Sequence, residues 1–297
     1  MMNLRELKTP IRIYWDVTPT TEVRPGYQRI CEEIVGIRIL SLNLVDTDPS
    51  ISGACLQILE RLKNENIAVS LALPGSAINP QVISLLHNLH VRALFLMASS
   101  LDELRPLQDI WHEKKVLLPG IYFEVRKDNH KTLPELLSFC LDNDVPYLVL
   151  PMQRLTKERD CFYLDQRERE ELTARVHGIG IPARIKLIIH DPFLWKVFFP
   201  SVEFPEGGCQ AANTMLYISP EGDVYPCPSM PVKLGSLMEA TLKDIIFSKE
   251  KKELREKIVR APAGCAHCAE LPLCTGGCRG RAYAANNSLD VPDPGCM

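Results

Sequence analysis

Ile11-Arg-Ile-Tyr-Trp-Asp-Val17, Gly36-Ile-Arg-Ile-Leu-Ser-Leu-Asn-Leu44, Ile67-Ala-Val-Ser-Leu-Ala-Leu73 and Val91-Arg-Ala-Leu-Phe-Leu-Met97 are short apolar runs, and helical patterns lie between them. Strands alternating with helices predict a parallel sheet, because a parallel neighbour needs a crossover long enough to hold a helix. Leu118 to Val125 and Tyr147 to Met152 continue the series. Two of the helical patterns are Ser52 to Asn64, with Leu56, Leu59 and Leu62 on one face, and Asn79 to Leu89, with Val82, Leu85, Leu86 and Leu89. Six such units curl into a partial barrel whose functional groups belong at the C-terminal ends of the strands. A further run, Arg184 to Ile189, is either a seventh strand or the way out of the barrel.

The chain has 297 residues, 46% apolar and 24% charged, enough for one large core with a smaller satellite. Its 34 basic and 37 acidic residues are mixed along its length with a net charge of −3, so neither nucleic acid nor an anionic membrane is an expected partner. The N-terminus has no apolar signal region, and no run approaches the roughly 18 apolar residues of a membrane span. A cytoplasmic protein is expected. Eleven cysteines in a reducing compartment then point to metal and away from disulfides.

Past the barrel, residues 191–208 are rich in proline and aromatics and read as a connector, with Phe193, Trp195, Phe198 and Phe199 packing one domain on another. Met215 to Cys227, with alternating apolar residues around Pro220-Glu-Gly-Asp223, predicts a hairpin. A helix from Thr241 to Ile258 is expected next, and then loop pinned by cysteines.

The cysteines are placed unevenly. Cys31, Cys55, Cys140 and Cys161 are isolated and read as small buried apolar residues. Seven others form Cys209-x12-Gly222-x4-Cys227, then Cys265-x2-Cys268-x5-Cys274-x3-Cys278, then Cys296. Such short spacings let neighbouring thiolates face one metal centre without regular structure between them. Cys265, Cys268, Cys274 and Cys278 alone would suit a tetrahedral zinc, which strands three thiols. Two iron-sulfur clusters with one iron not held by cysteine use all seven, and the count favours them. Thr275-Gly276-Gly277 lets backbone N–H groups approach sulfur, and Arg279 and Arg281 place positive charge beside an anionic cluster. His267 reads as a solvent-facing loop residue.

The order Cys209, Gly222, Cys227, Cys265, Cys268, Cys274, Cys278 and Cys296, with Gly276-Gly277 and the closing Asp293-Pro-Gly-Cys296, resembles the SPASM domain of radical S-adenosylmethionine peptide and sulfatase maturases. The resemblance implies an outer cluster on Cys265, Cys268, Cys274 and Cys296. It implies an inner one on Cys209, Cys227 and Cys278, two 4Fe-4S clusters in all. The inner cluster's fourth ligand is often a cysteine just upstream of Cys209. Phe198 to Gly208 has none, so that position is open or capped by Glu203, Glu206 or a substrate group.

The barrel resembles a radical S-adenosylmethionine core that has lost its catalytic loop. Trp15-Asp16-Val17-Thr18 stands where the family reads Trp-Glu-Leu-Thr, but Thr21, Pro25 and Gln28 occupy the places of the Cys-x3-Cys-x2-Cys ligands. Asp46-Thr47-Asp48-Pro49 stands where a Gly-Gly-Glu-Pro contacts the cofactor's methionine end. The expected architecture is α/β: a degenerate partial (β/α)6 TIM-like barrel over residues 1–190, a connector over 191–208, and a small loop-rich iron-sulfur SPASM module over 209–297. No catalytic residue is assigned, and no cleavage of S-adenosylmethionine is expected. His87, His90, His112, His130, His177 and His190 are scattered and show no acid-base constellation. The combination resembles the SPASM-only member of the GeoRSP systems, which implies an accessory protein. Such a protein relays electrons or positions substrate for a separate radical S-adenosylmethionine enzyme, alongside a small peptide-chaperone-like partner and a peptide substrate. The other reading is a peptide-binding scaffold whose metal is purely structural.

Overall fold

The computed structural model describes residues 7–17, 26–112, 117–155, 162–180, 185–204 and 207–296. Strand β1 (Arg12–Val17) sends Ile13, Trp15 and Val17 into the main apolar core and Arg12, Tyr14 and Asp16 to the opposite face, as the two-residue period of a strand requires. Strands β2 (Ser41–Asp46), β3 (Ala68–Pro74), β4 (Ala93–Met97), β5 (Gly120–Tyr122), β6 (Tyr147–Leu150) and β7 (Lys186–Ile189) follow in order, all parallel. Their outward residues, Leu42, Leu71, Leu94 and Leu148 among them, lie in the core shared with the covering helices. These helices are α1 (Gly26–Gly36), α2 (Gly53–Leu62), α3 (Pro80–Asn88), α4 (Asp109–His112), α5 (Leu133–Asp142) and α6 (Gln166–Ile179). Inward, Val45, Ala72, Phe95 and Val149 make a second, smaller apolar cluster.

The sheet is curled, and side chains prove it. Nε2 of His190, just past β7, lies 3.4 Å from the Tyr14 hydroxyl on β1. In a flat sheet, six steps of about 4.8 Å would separate those strands by roughly 29 Å. The run at Arg184 to Ile189 is thus a seventh strand, paired with β6 over four residues, and it closes six β/α units.

Local chemistry fixes the boundaries. The Ser52 hydroxyl caps α2 by accepting the Cys55 N–H, Asn79 caps α3 through Val82, and Asp165 with Glu168 forms a capping box on α6. Helix α1 runs on to Gly36 and the turn after it puts Arg38 in the left-handed region (φ 56°), so β2 begins at Ser41, later than the apolar run at Gly36. Cys31, Cys55 and Cys140 are buried as expected; burial pushes the Cys31 and Cys140 thiols up to about 12. Cys161 lies outside the described residues.

The second half departs from expectation in four ways. The connector contains a helix, α7 (Pro192–Phe198), capped by Asp191, with Phe193 and Phe198 buried. The expected hairpin is present as β8 (Met215–Ile218) and β9 (Asp223–Tyr225), turning at Gly222 (φ 87°), and β10 (Gly235–Ser236) adds to it. Unforeseen, β8 pairs in parallel with the free edge of β1, so one ten-stranded sheet runs through barrel and hairpin. The helix expected from Thr241 to Ile258 is two, α8 (Leu242–Phe247) and α9 (Lys249–Val259). Ser248 breaks them with extended backbone (ψ 155°), and its hydroxyl caps α9. The stretch expected as loop carries α10 (Leu271–Cys274) and α11 (Arg279–Asn286). Among the described residues no helix is long and apolar enough to cross a membrane.

Candidate metal centre

Each of the seven clustered cysteines sits at a bend. Cys209 precedes β8 and Cys227 follows β9, so the hairpin brings them together across eighteen positions of sequence. Cys265 ends a short 3-10 turn and its carbonyl accepts the Cys268 N–H. Cys274 ends α10, after which Thr275, Gly276 and Gly277 are all left-handed (φ 51°, 94° and 76°). That unusual run aims the Gly276 and Gly277 N–H groups at the Cys274 sulfur. A Cβ on Gly276 would lie 2.7 Å from Pro262 Cγ, and one on Gly277 2.6 Å from Asp293 Cβ, so the backbone passes where only glycine fits. Cys278 caps α11, its sulfur accepting the Arg281 N–H at 3.4 Å. Cys296 closes the last turn, its N–H donated to the Asp293 carbonyl.

The thiols fall into two neighbourhoods. Burial pushes Cys227 far up, and the neighbours that push it further are Cys209 and Cys278; Cys278 is raised by burial to about 12, with Cys209 again beside it. Cys265 is raised by burial and then by Cys268, Cys296 by burial and then by Cys265 and Cys268, and Cys274 by burial with Cys296 nearby. The structure thus brings Cys209, Cys227 and Cys278 together on the barrel side. It brings Cys265, Cys268, Cys274 and Cys296 together toward the surface, where Cys268 and Cys296 are exposed. No three His, Cys, Asp or Glu side chains among the described residues converge as around a single ion. A four-iron cluster takes one thiolate at each iron, so its ligands surround a cage.

The surroundings fit such anionic groups. Protonated thiols would leave the N–H groups at Cys274, Cys227 and Cys278 facing poor acceptors, whereas thiolates bound to iron are good ones. Arg279 is fully buried and its Nε has no partner among the described residues, an arrangement that needs nearby negative charge. His267 is exposed, as is Glu203; Glu206 lies outside the described residues.

Sequence reasoning missed the network that joins the centre to the barrel. Arg281, 3% exposed, pairs with both oxygens of Asp293 (Nε to Oδ1 2.6 Å, Nη2 to Oδ2 2.7 Å) and donates from Nη1 to Asp191, the cap of α7. Asp293 also accepts the Cys278 N–H at 2.7 Å. Asp293 stands in the Asp-Pro-Gly-Cys stretch and Arg281 three residues past Cys278, but no spacing rule pairs them. Beside them a small cavity, lined by His190, Gln153, Ser229, Cys278 and Arg281, joins the inner thiols to the barrel mouth.

Inside that mouth the inward side chains of β1 are taken up by the protein. Arg154 forks onto Asp16, and the Tyr217 hydroxyl donates to the same carboxylate at 3.0 Å. Burial, then Arg12 and Arg154, push His190 down to about 4, so it is neutral near pH 7. Asp46, fully buried, accepts the N–H groups of Asp48 (3.0 Å) and Ser52 (2.8 Å), which folds the Asp46-Thr-Asp-Pro loop back on itself. Thr18, Thr21 and Pro25 lie outside the described residues; Gln28 is on α1 and donates to Glu32.

The whole chain superposes on known structures. SuiB of Streptococcus suis, solved bound to S-adenosylmethionine, matches 98% of this chain and 76% of its own length at a TM-score of 0.68 and 16% identity. Native anSMEcpe with bound AdoMet matches 96% of this chain and 94% of its own at a TM-score of 0.66 and 14% identity. At those identities the likeness is one of fold: a partial α/β barrel with a C-terminal module. By sequence, a stretch of 97 residues is 31% identical to the AdoMet-dependent heme synthase of Methanosarcina barkeri; it spans 30% of this chain and 26% of that protein's length. Residues 209–269, which hold Cys209, Cys227, Cys265 and Cys268, match the family model of SPASM, an iron-sulfur cluster-binding domain, and the chain therefore carries such a domain on its barrel.

Proposed function

We propose that this protein is an iron-sulfur accessory component of a peptide-modification system, relaying electrons to, or positioning substrate for, a separate radical S-adenosylmethionine enzyme. One observation carries the reading: the chain keeps all seven thiols of the C-terminal centre, yet nowhere contains a Cys-x3-Cys-x2-Cys run. Three further features support it. The two thiol neighbourhoods suit two 4Fe-4S clusters, the inner held by Cys209, Cys227 and Cys278 and the outer by Cys265, Cys268, Cys274 and Cys296. The barrel mouth is crossed by an internal ion pair, Asp16 with Arg154. Relatives in fold include SuiB bound to its precursor peptide SuiA and anSMEcpe with the Cp18Cys peptide, which favours a peptide as the substrate here. The division into a barrel (1–190), a connector (191–208) and a cluster module (209–297), a cytoplasmic setting, and a small peptide-chaperone-like partner belong to the same proposal.

The test is anaerobic reconstitution of the full chain. Two reducible clusters, about eight irons per chain, and no 5'-deoxyadenosine from S-adenosylmethionine are expected. Deoxyadenosine formation by the isolated chain sinks the accessory role, and stoichiometric zinc overturns the cluster reading.

A further inference from the structure

Two arginines follow Cys278, and the structure gives them opposite tasks. Arg281 is neutralised by the carboxylates of Asp293 and Asp191. Arg279, the first residue of α11, is 0% exposed, and its guanidinium is held by main-chain carbonyls: Nη1 donates to Val291 at 3.1 Å and Nη2 to Leu289. Carbonyls satisfy hydrogen bonds without cancelling a unit charge. Its main chain directly follows Cys278, and its guanidinium lies against Gly276, in the turn that wraps the Cys274 sulfur; Cys209 and Cys265 are also near enough to act on it. Cys209 belongs to the inner thiols and Cys265 to the outer.

The chain is shaped round this guanidinium. A Cβ on Gly276 would come within 3.0 Å of Arg279 Nη1 as well as striking Pro262, so the glycine keeps a berth for the cation. Nε has no partner among the described residues. A buried cation with carbonyl partners alone is costly, and anionic cages on both sides offset that cost.

We propose that Arg279 is the shared cation of the two cluster sites, standing between them and raising the reduction potentials of both, while Arg281, already paired with two carboxylates, holds geometry. This rests on the two-cluster reading. Positive charge close to a cluster stabilises its reduced, more negative state, so removing the Arg279 charge lowers both potentials.

The experiment is a redox titration followed by electron paramagnetic resonance on the anaerobically loaded full chain, wild type against Arg279→Gln, Arg279→Lys and Arg281→Lys, with iron and sulfide counted in each. Both midpoints are expected to fall in Arg279→Gln, to return toward wild type in Arg279→Lys, and to stay near wild type in Arg281→Lys, which keeps the charge at that position. Should Arg279→Gln fail to load iron, loading by Arg279→Lys supports a role for charge, whereas failure of both overturns it in favour of shape. Arg279→Gln with a wild-type iron count and unmoved midpoints, or with one midpoint moved, also overturns the proposal. A wild-type chain that takes up no iron and sulfide overturns the cluster reading and this inference with it.

Discussion

Arg154 reaches across the barrel mouth to Asp16 with two parallel hydrogen bonds of 2.8 Å, from the segment after β6 to the end of β1. The pair lies at the C-terminal ends of the strands, where a barrel of this kind holds its ligands. Tyr217, on the hairpin strand that joins β1, donates to the same carboxylate and lies under the Arg154 guanidinium, 5.5 Å from ring centre to Cζ. One ion pair therefore fastens β1, the segment after β6 and the C-terminal hairpin together.

Removing one partner should be worse than removing both. Arg154 and Asp16 side chains are 20% and 18% exposed, so Arg154→Met leaves a carboxylate largely out of water with a single hydroxyl donor. A loss of about 3 kcal/mol is expected, and Arg154→Met with Asp16→Asn should recover at least half of it. Urea unfolding of the two variants and wild type checks this; a double variant no more stable than the single one sinks the account.

The barrel was legible in the sequence because its outward faces repeat: Ile13, Trp15 and Val17, then Leu71 and Leu73, then Leu94 and Leu96 are apolar at every second position. The clustering of the thiols is plain in the sequence, but spacing alone groups Cys278 with Cys265, Cys268 and Cys274, and only the resemblance to the SPASM domain moves it to the set of Cys209 and Cys227. What escaped the sequence is pairing between distant polar residues. Nothing local joins Asp16 to Arg154, 138 positions away, or Asp191 to Arg281, 90 positions away, since charge complementarity has no period. The parallel pairing of β8 with β1 escaped for the same reason, and Ser248 was hidden because a serine inside a Lys- and Glu-rich run reads as surface until its cap is seen.

His190 makes stability depend on pH. Its pKa is about 4 in the folded chain against 6.5 when free, because burial and the charges of Arg12 and Arg154 oppose protonation. Between those values the unfolded chain binds a proton and the folded chain does not. The full contribution is present above pH 6.5 and is lost as pH falls toward 4, by at most about 3 kcal/mol. His190→Gln should flatten that slope in urea unfolding at a series of pH values from 5 to 7; an unchanged slope would falsify the assignment.

Two glycines should respond to alanine with opposite sign. Gly178 lies on the exposed face of α6 with nothing within 4 Å of an added Cβ, so Gly178→Ala should gain about 0.5 kcal/mol. Gly277 has φ 76° and an added Cβ would meet Asp293 at 2.6 Å. Gly277→Ala should lose about 2 kcal/mol and lower iron uptake, since Asp293 also holds the Cys278 N–H. Thermal melts with iron counts measure both; a neutral Gly277→Ala would remove the cradle from the argument.

The division of thiols predicts selective damage. Cys227 neighbours Cys209 and Cys278, whereas Cys274 neighbours Cys296, so serine at either position should empty one site and spare the other. Each single variant should retain about four of about eight irons. Cys274→Ser should act at the surface and keep the barrel's unfolding midpoint. Cys227→Ser, at a buried position beside Tyr14 and the barrel mouth, should lower that midpoint as well. Iron and sulfide analysis with anaerobic unfolding separates the cases. Loss of all iron from Cys274→Ser would mean that the two sites load as one unit through the Arg281–Asp293 link, while a wild-type count in either variant would mean that its sulfur is not a ligand.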